Sequence, residues 1–143
     1  MLKHRTKFRV IYGDTDSMGV AYYANYLRWF EIGRTELFRF LGLPYTEIEK
    51  KGYFLPVSEM HCKFKTFARF KTFARYDDVM TIETSHDETI KAGLKFNYLI
   101  FKDDENDIFA NGYTRHAFLD STGKLVRTPK FIREFIAEKI GER

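Results

Sequence analysis

The sequence predicts an α+β fold in which one long helix accompanies a largely antiparallel β-sheet. Apolar residues recur at helical spacing between residues 24 and 41, whereas residues 53–120 form short segments separated by turn residues. Aromatic residues make up 17% of the chain, and bulky side chains of this kind favour strands. The order strand, long helix, many strands, helix indicates the α+β class.

The first two elements are predicted to be a strand and the long helix. Residues 6–12, TKFRVIY, alternate along the chain, which is typical of a strand with one buried face. The helix is predicted from Ala24 to Leu41, with Gly42 placed to end it. Gly33 lies inside it at a cost of about 1 kcal/mol in helix propensity. Such a small residue would let a sheet approach the helix closely.

The remaining elements are mostly strands. Turn residues at 102–107 and 120–124 separate the last two strands and close the final one. In chain order the sequence predicts a short polar helix near residues 45–52, strands at 53–67, 79–86, 93–102 and 108–120, and a helix at 130–140 introduced by Thr128 and Pro129.

A six-residue repeat begins at the end of the predicted strand 53–67: FKTFAR at Phe64–Arg69 recurs at once as Phe70–Arg75. Because six is even, a strand keeps each side chain on its original face, so the repeat is compatible with a lengthened strand. One face of that strand would alternate basic and aromatic side chains. This pattern is typical of a solvated sheet face, the favoured interpretation, but also of surfaces that bind single-stranded nucleic acid. The second copy is predicted to be a tolerated insertion.

Size and composition indicate one globular, soluble domain spanning residues 1–143. The single cysteine, Cys62, excludes an internal disulfide, and the N-terminus lacks the apolar core of a signal peptide, so a cytoplasmic protein is predicted. No run approaches the roughly 18 apolar residues of a spanning helix, so integral membrane association is not expected. The formal charge of +4 indicates a mild attraction for nucleic acid, acidic lipid or a phosphorylated small molecule.

Several common catalytic sites are absent from the sequence. It contains no G-x-S-x-G motif, no phosphate-binding glycine loop and no cysteine pair for zinc. The histidines do not have metal-ligand spacing, and surface or half-buried positions are predicted for all of them: His4, His61, His86 and His116.

The stretch Tyr12–Glu31, YGDTDSMGVAYYANYLRWFE, places two carboxylates just ahead of the helix. A bare D-x-D could bind a hard cation such as magnesium, but a structural role in which Asp14 caps the following turn is favoured. Asp16 is interpreted differently. Gly19 lets the backbone approach a ligand, and the N–H groups of Ala21–Asn25, AYYAN, are predicted to be unpaired at the positive end of the helix dipole. A carboxylate beside such an oxyanion site suits acyl transfer.

The longer stretch YGDTDSMGVAYYANYLRWFEIGRTELFR closely resembles the signature of the hotdog-fold acyl-CoA thioesterases of the 4-hydroxybenzoyl-CoA thioesterase class. In that signature D-x-D, two residues, a glycine, an aromatic pair and N-Y lead into the central helix. Weaker similarity continues through CKF, ARYDDVMTIET and VRTPKF. The resemblance implies a long central helix wrapped by an antiparallel sheet. It also implies a homodimer or homotetramer in which the sheets join and the active sites lie between subunits.

The same resemblance implies that the protein hydrolyses a thioester to release CoA and a carboxylic acid, without a metal or cofactor. Asp16 would attack the carbonyl or activate water, while the backbone N–H of Tyr23 polarises that carbonyl. Thioesters lack the resonance of amides, so the carboxylate and the N–H dipole can suffice for catalysis. Each would lower the activation barrier by about 2 to 4 kcal/mol. Relatives acting on short or long acyl chains often have histidine in place of Tyr23, and those acting on aromatic acyl groups can have tyrosine, so the acyl group stays open.

The phosphates of CoA would explain the mild basic charge without nucleic acid. Lys91, in the turn ETIKAG, is the first candidate for a phosphate contact and Arg127 the second. Gly19 completes the predicted substrate-binding residues. The alternative hypothesis is a non-catalytic protein that binds either acyl groups in the same fold or single-stranded nucleic acid through the basic aromatic strand.

Overall fold

A computed structural model describes residues 2–65, 73–102 and 108–142 of the chain. Its strands are β1 Lys3–Arg9, β2 Tyr53–Phe54, β3 Val57–Phe64, β4 Val79–His86, β5 Leu94–Lys102, β6 Ile108–His116, β7 Phe118–Asp120 and β8 Leu125–Val126. The helices are α1 Asn25–Leu41, α2 Tyr45–Lys50 and α3 Lys130–Gly141, with a 3₁₀ turn at Tyr12–Asp14. None of these helices is both long and apolar enough to cross a membrane.

The strands form two antiparallel sheets. The larger has the order β1-β4-β5-β6-β3, and the smaller has the order β2-β7-β8. Helix α1 packs across β1, β4 and β5 of the larger sheet. The predicted α+β class with a long helix and a mainly antiparallel sheet is therefore confirmed.

Gly33 gives α1 its close approach to the sheet, as the sequence predicted. A Cβ atom at this position would lie 2.3 Å from Oγ1 of Thr84 on β4, a distance that real side chains do not tolerate. Nearby, the rings of Phe30 and Tyr98 stack with their centroids 4.3 Å apart. The helix ends at the predicted glycine, since Gly42 adopts a φ of +91°.

The first strand was predicted three residues too late. It begins at Lys3 and ends at Arg9, whose partner Val79 is the first residue of β4. Val10 then turns into the core, where it is fully buried, and the chain enters the 3₁₀ turn. Backbone pairing continues for one residue past the strands, since the Val10 N–H donates to Asp78 at 2.9 Å and the Val10 carbonyl accepts the Asp77 N–H at 2.8 Å.

Two predicted strands are each broken into two. The segment 53–67 is interrupted at Pro56, and 108–120 at Ala117, so β2 and β7 join the smaller sheet rather than continuing the larger one. The two breaks lie side by side, since the Ala117 N–H donates to the carbonyl of Pro56 at 3.3 Å. Proline has no N–H to donate, which suits a point where a strand leaves a sheet.

The described ends of the FKTFAR repeat do not lengthen β3. This strand ends at Phe64, and among the described residues of the second copy, 73–75, Arg75 makes a β-bridge to Val20. Residues 66–72 lie outside the described residues, and with them most of the basic and aromatic face considered above. The interpretation of the repeat as a tolerated insertion stays a prediction.

Candidate active site

Asp14 organises the loop ahead of α1. Its side chain is buried, accepts the N–H of Ile11 at 2.9 Å and pairs with the guanidinium of Arg28. Its carbonyl oxygen accepts the N–H of Tyr22 at 2.7 Å and the amide of Asn25 at 2.9 Å. Asp14 therefore has a structural role, as predicted. The turn that its side chain closes, however, lies before Asp14 in the chain and not after it.

Asp16 caps the following turn instead. Its Oδ1 accepts the N–H of Met18 at 2.8 Å, and its carbonyl accepts the N–H of Gly19 at 3.0 Å. Gly19 has a φ of +78°, a conformation that glycine adopts without strain. The Asp16 side chain is half-buried, and the described part of the chain gives its Oδ2 no hydrogen-bond partner. This oxygen is therefore available to a ligand.

A tight hairpin holds Asp16 near the start of α1. The Asp16 N–H donates to Val20 at 2.9 Å, and Thr15 pairs with Ala21. Three residues beyond Val20, the N–H of Tyr23 has no acceptor among the described residues, while the Tyr23 carbonyl already accepts from Tyr26 at 3.2 Å. The prediction of unpaired N–H groups along Ala21–Asn25 is therefore wrong for Ala21, Tyr22 and Asn25, which donate to the carbonyls of Ala74, Asp14 and Tyr22. The Tyr23 N–H, without an acceptor in the described part of the chain, lies in the same short loop as the Asp16 carboxylate.

Large apolar side chains around this loop face solvent. Tyr12 is 72% exposed and stacks on Tyr76 with ring centroids 3.6 Å apart. Several exposed large side chains around one loop are typical of a surface that another molecule covers. The exposed members are Ile11, Tyr12, Met18, Tyr22, Tyr23 and Tyr76.

Lys91 and Arg127 line one cleft of about 810 Å³. Two further cations, Arg115 and Arg133, line the same cleft, together with the carboxylate of Glu59. Sequence reasoning missed both arginines, because Arg115 fits the solvated face of a strand and Arg133 the polar face of a helix. The surplus of positive charge suits a polyanionic ligand.

The turn that carries Lys91 is anchored by Asp87. Its Oδ1 accepts the hydroxyl of Thr89 at 2.6 Å and the N–H of the same residue at 3.0 Å. These hydrogen bonds from Thr89 lower the pKa of Asp87 to about 2. The carboxylate therefore stays charged at neutral pH, and the turn keeps its anchor.

His116 lies in the wall of the cleft but is buried, and His86 is buried as well, so the predicted surface or half-buried positions are wrong for these two. Thr114 donates its hydroxyl to Nε2 of His116 at 2.8 Å, and Nδ1 donates to the Leu55 carbonyl at 3.1 Å. Burial lowers the pKa of His116 to about 4. The imidazole is thus neutral at pH 7 and adds no charge to the cleft.

The Asp16 loop and the basic cleft lie at opposite ends of the larger sheet. The loop borders the start of β4, where Val10 donates its N–H to Asp78 at 2.9 Å. The cleft borders the start of β5, beyond the end of β4. The eight residues of β4 separate these ends by about 25 Å, at about 3.3 Å a residue. One chain therefore does not bring Asp16 to Lys91 and Arg127.

Comparison with known proteins assigns this fold to a thioesterase class. The chain belongs to the thioesterase-like superfamily, whose family model matches residues 10–136. This membership confirms the predicted hotdog fold and a thioester hydrolase.

Individual relatives are enzymes of the same kind. Acyl-CoA thioesterase YbgC of Haemophilus influenzae is 32% identical over 95 residues, which is 66% of this chain and 65% of that one. The 4-hydroxybenzoyl-CoA thioesterase of a Pseudomonas species is 35% identical over 79 residues, 53% of this chain and 52% of that one. The crystal structure of the DHNA-CoA thioesterase of Staphylococcus aureus superposes with a TM-score of 0.85, over 99% of this chain and 93% of that one. At 24% identity, it shows the fold.

Proposed function

We propose that this protein is an acyl-CoA thioesterase in which Asp16 is the catalytic carboxylate. The observation that carries the proposal is one short loop that contains both a carboxylate oxygen of Asp16 and the Tyr23 N–H, neither of which has a hydrogen-bond partner among the described residues. The names of the relatives supply the substrate class, and the cations of the cleft suit the phosphates of CoA.

In the proposed reaction the thioester carbonyl oxygen accepts the N–H of Tyr23, which lowers the energy of the oxyanion that forms there. Asp16 then acts in one of two ways. As a nucleophile it attacks the carbonyl carbon, the C–S bond breaks, CoA leaves as the thiolate, and water hydrolyses the resulting anhydride. As a general base it takes a proton from water, and the hydroxide attacks while the C–S bond breaks. Both routes give a carboxylic acid and CoA.

The complete site is proposed to form between two copies of the chain. Strand β3 is an edge of the larger sheet in the described residues. Met60 lies on the same face of this strand as Cys62 and Phe64, which pack on the core, yet Met60 is 52% exposed. An exposed edge with an uncovered apolar residue on its core side is suited to pairing with a second β3.

Antiparallel pairing of two β3 strands would also bring an Asp16 loop next to a basic cleft, which lie at opposite ends of the sheet within one chain. Ser58 and Glu59, at the beginning of β3, line the basic cleft. Phe64, at its end, contacts Tyr26 in the first turn of α1 with ring centroids 5.0 Å apart. In an antiparallel pair the beginning of one strand lies beside the end of the other. The cleft of one subunit would therefore lie beside the Asp16 loop of the other.

The test is release of CoA from a panel of acyl-CoA esters, followed with a thiol reagent. The panel should include short-chain, long-chain and aromatic acyl groups, and Asp16→Asn is the matched control. Hydrolysis of at least one ester by the unmodified protein, lost in Asp16→Asn, is the expected result. Release that is unchanged in Asp16→Asn would exclude Asp16 as the catalytic carboxylate.

A further inference from the structure

One side chain joins the two segments that bring Lys91 and Arg127 to the cleft. Oγ1 of Thr128 accepts a hydrogen bond from the backbone N–H of Gly93 at 3.2 Å. Thr128 directly follows Arg127, and Gly93 lies two residues after Lys91. The turn before β5 is therefore tied to the connection between β8 and α3.

Both partners of this hydrogen bond are held by rigid neighbours. Gly93 has a φ of +71°, and a Cβ atom there would lie 2.1 Å from the carbonyl oxygen of His116, so the turn packs directly on β6. Thr128 precedes Pro129, which is buried and restricts the preceding residue to extended backbone. The bond thus fixes one cleft wall against the other.

We propose that Thr128 is a positioning residue that holds Arg127 beside Lys91, so that both cations meet the phosphates of CoA. This inference rests on the proposed acyl-CoA substrate. Two cations at one cleft repel each other, and a hydrogen bond between neutral groups holds their segments together without adding charge. A cleft ordered before binding loses less conformational entropy when the nucleotide binds.

Thr128→Val removes the acceptor while keeping the shape of the side chain, and Thr128→Ser keeps the acceptor. Thr128→Val should raise KM for acyl-CoA about threefold to tenfold, the range of one hydrogen bond, with kcat unchanged. KM for the matching S-acyl-pantetheine should not change, because this thioester lacks the nucleotide. Thr128→Ser should stay close to the unmodified protein in both measurements.

Two further measurements separate positioning from a general structural role. Calorimetry with CoA itself should show weaker binding to Thr128→Val by the same factor as KM, and it requires no hydrolysis. In a Lys91→Met, Arg127→Gln background, Thr128→Val should have no additional effect, because the cations through which Thr128 acts are gone. Thr128→Ala replaces Thr128→Val if thermal melting shows that the valine variant does not fold.

Three results with Thr128→Val would overturn the inference: unchanged KM and CoA affinity, an equal rise in KM for acyl-CoA and S-acyl-pantetheine, or an undiminished effect in the Lys91→Met, Arg127→Gln background. If the unmodified protein hydrolyses no acyl-CoA, the proposed function fails, but CoA affinity of the Thr128 variants still decides the role of Thr128. Absence of CoA binding to the unmodified protein would also overturn the inference that Thr128 is a positioning residue.

Discussion

Asp14 and Arg28 form an ion pair that ties the loop before α1 to the first turns of this helix. The carboxylate is nearly inaccessible, with 3% of its side chain exposed, whereas the Arg28 side chain is 45% exposed. Since Asp14 also accepts the Ile11 N–H, it holds both ends of its loop. The two aspartates of the D-x-D motif thus differ: one is occupied by structural contacts, and Asp16 keeps an oxygen available.

Asp14→Ala should destabilise the protein. The substitution leaves the Ile11 N–H and the Arg28 guanidinium without their acceptor, which costs about 1 to 3 kcal/mol in the free energy of unfolding. Urea denaturation of the variant and the unmodified protein measures this difference. Equal unfolding midpoints would show that Asp14 does not stabilise the loop.

Asp16→Asn should keep the fold and lose turnover. Asparagine retains an oxygen that can accept the Met18 N–H, but it neither attacks a carbonyl nor takes a proton from water. We expect kcat to fall at least about 10²-fold with an unchanged unfolding midpoint. Asp14→Asn, which leaves the Asp16 carboxylate intact, should lower kcat much less and is the matched control.

Met60→Asp should weaken the proposed dimer and its activity together. Near the centre of paired β3 strands, it would place two carboxylates close to each other in an apolar contact. Sedimentation at micromolar concentration should shift from a dimer or larger species towards the 17.0 kDa monomer, and turnover should fall with it. Phe40→Asp changes an exposed aromatic residue outside β3 and is the control. An active monomer of the unmodified protein would exclude the shared site.

Lys91→Ala should raise KM for acyl-CoA with little change in kcat. A contact to a phosphate far from the thioester stabilises the bound substrate and the transition state equally. The effect should shrink at high salt, because mobile ions screen exposed charges. Lys50→Ala, at a lysine on α2 outside the cleft, is the matched control. A KM that stays unchanged at low salt would place the phosphates elsewhere.

Local patterns in the sequence predicted most of the fold. The predicted bounds of α1, β4 and β5 agree with the structure to within one residue, because apolar helical spacing and strand-bounding turn residues are local in the chain. The breaks at Pro56 and Ala117 were missed, because they depend on which sheet each half of the strand joins. That choice is made by tertiary packing, which a period along the chain does not reveal.

The candidate site was predicted in part for the same reason. Lys91 and Arg127 were selected separately from their turns, and the structure places both in one cleft although 35 residues lie between them in the chain. Arg115 and the tether formed by Thr128 were missed, since each gains its role from a partner distant in sequence. The turn that Asp14 would close was also predicted wrongly, because side-chain direction in a short loop depends on the packing of that loop.

Acid should destabilise the protein as pH falls from about 7 to about 4. Burial lowers the pKa of His116 from 6.5 in the unfolded chain to about 4, and burial lowers the pKa of His86 as well. Between these values the unfolded chain binds more protons than the folded one, so stability is complete above pH 6.5 and falls with pH. The slope contributed by His116 approaches about 1.4 kcal/mol per pH unit. The lowered pKa of Asp87, about 2, affects stability only below the ordinary value of 3.8.

Urea denaturation at pH 7, 6 and 5 measures this dependence, and His116→Gln is the variant that isolates it. Glutamine can donate to the Leu55 carbonyl but does not titrate, so the variant should be less stable at pH 7 and should show a smaller loss between pH 7 and pH 5. His61→Gln, at an exposed histidine on β3, should keep the full dependence. If His116→Gln and the unmodified protein lost equal free energy of unfolding over this range, protonation of His116 would not be the cause.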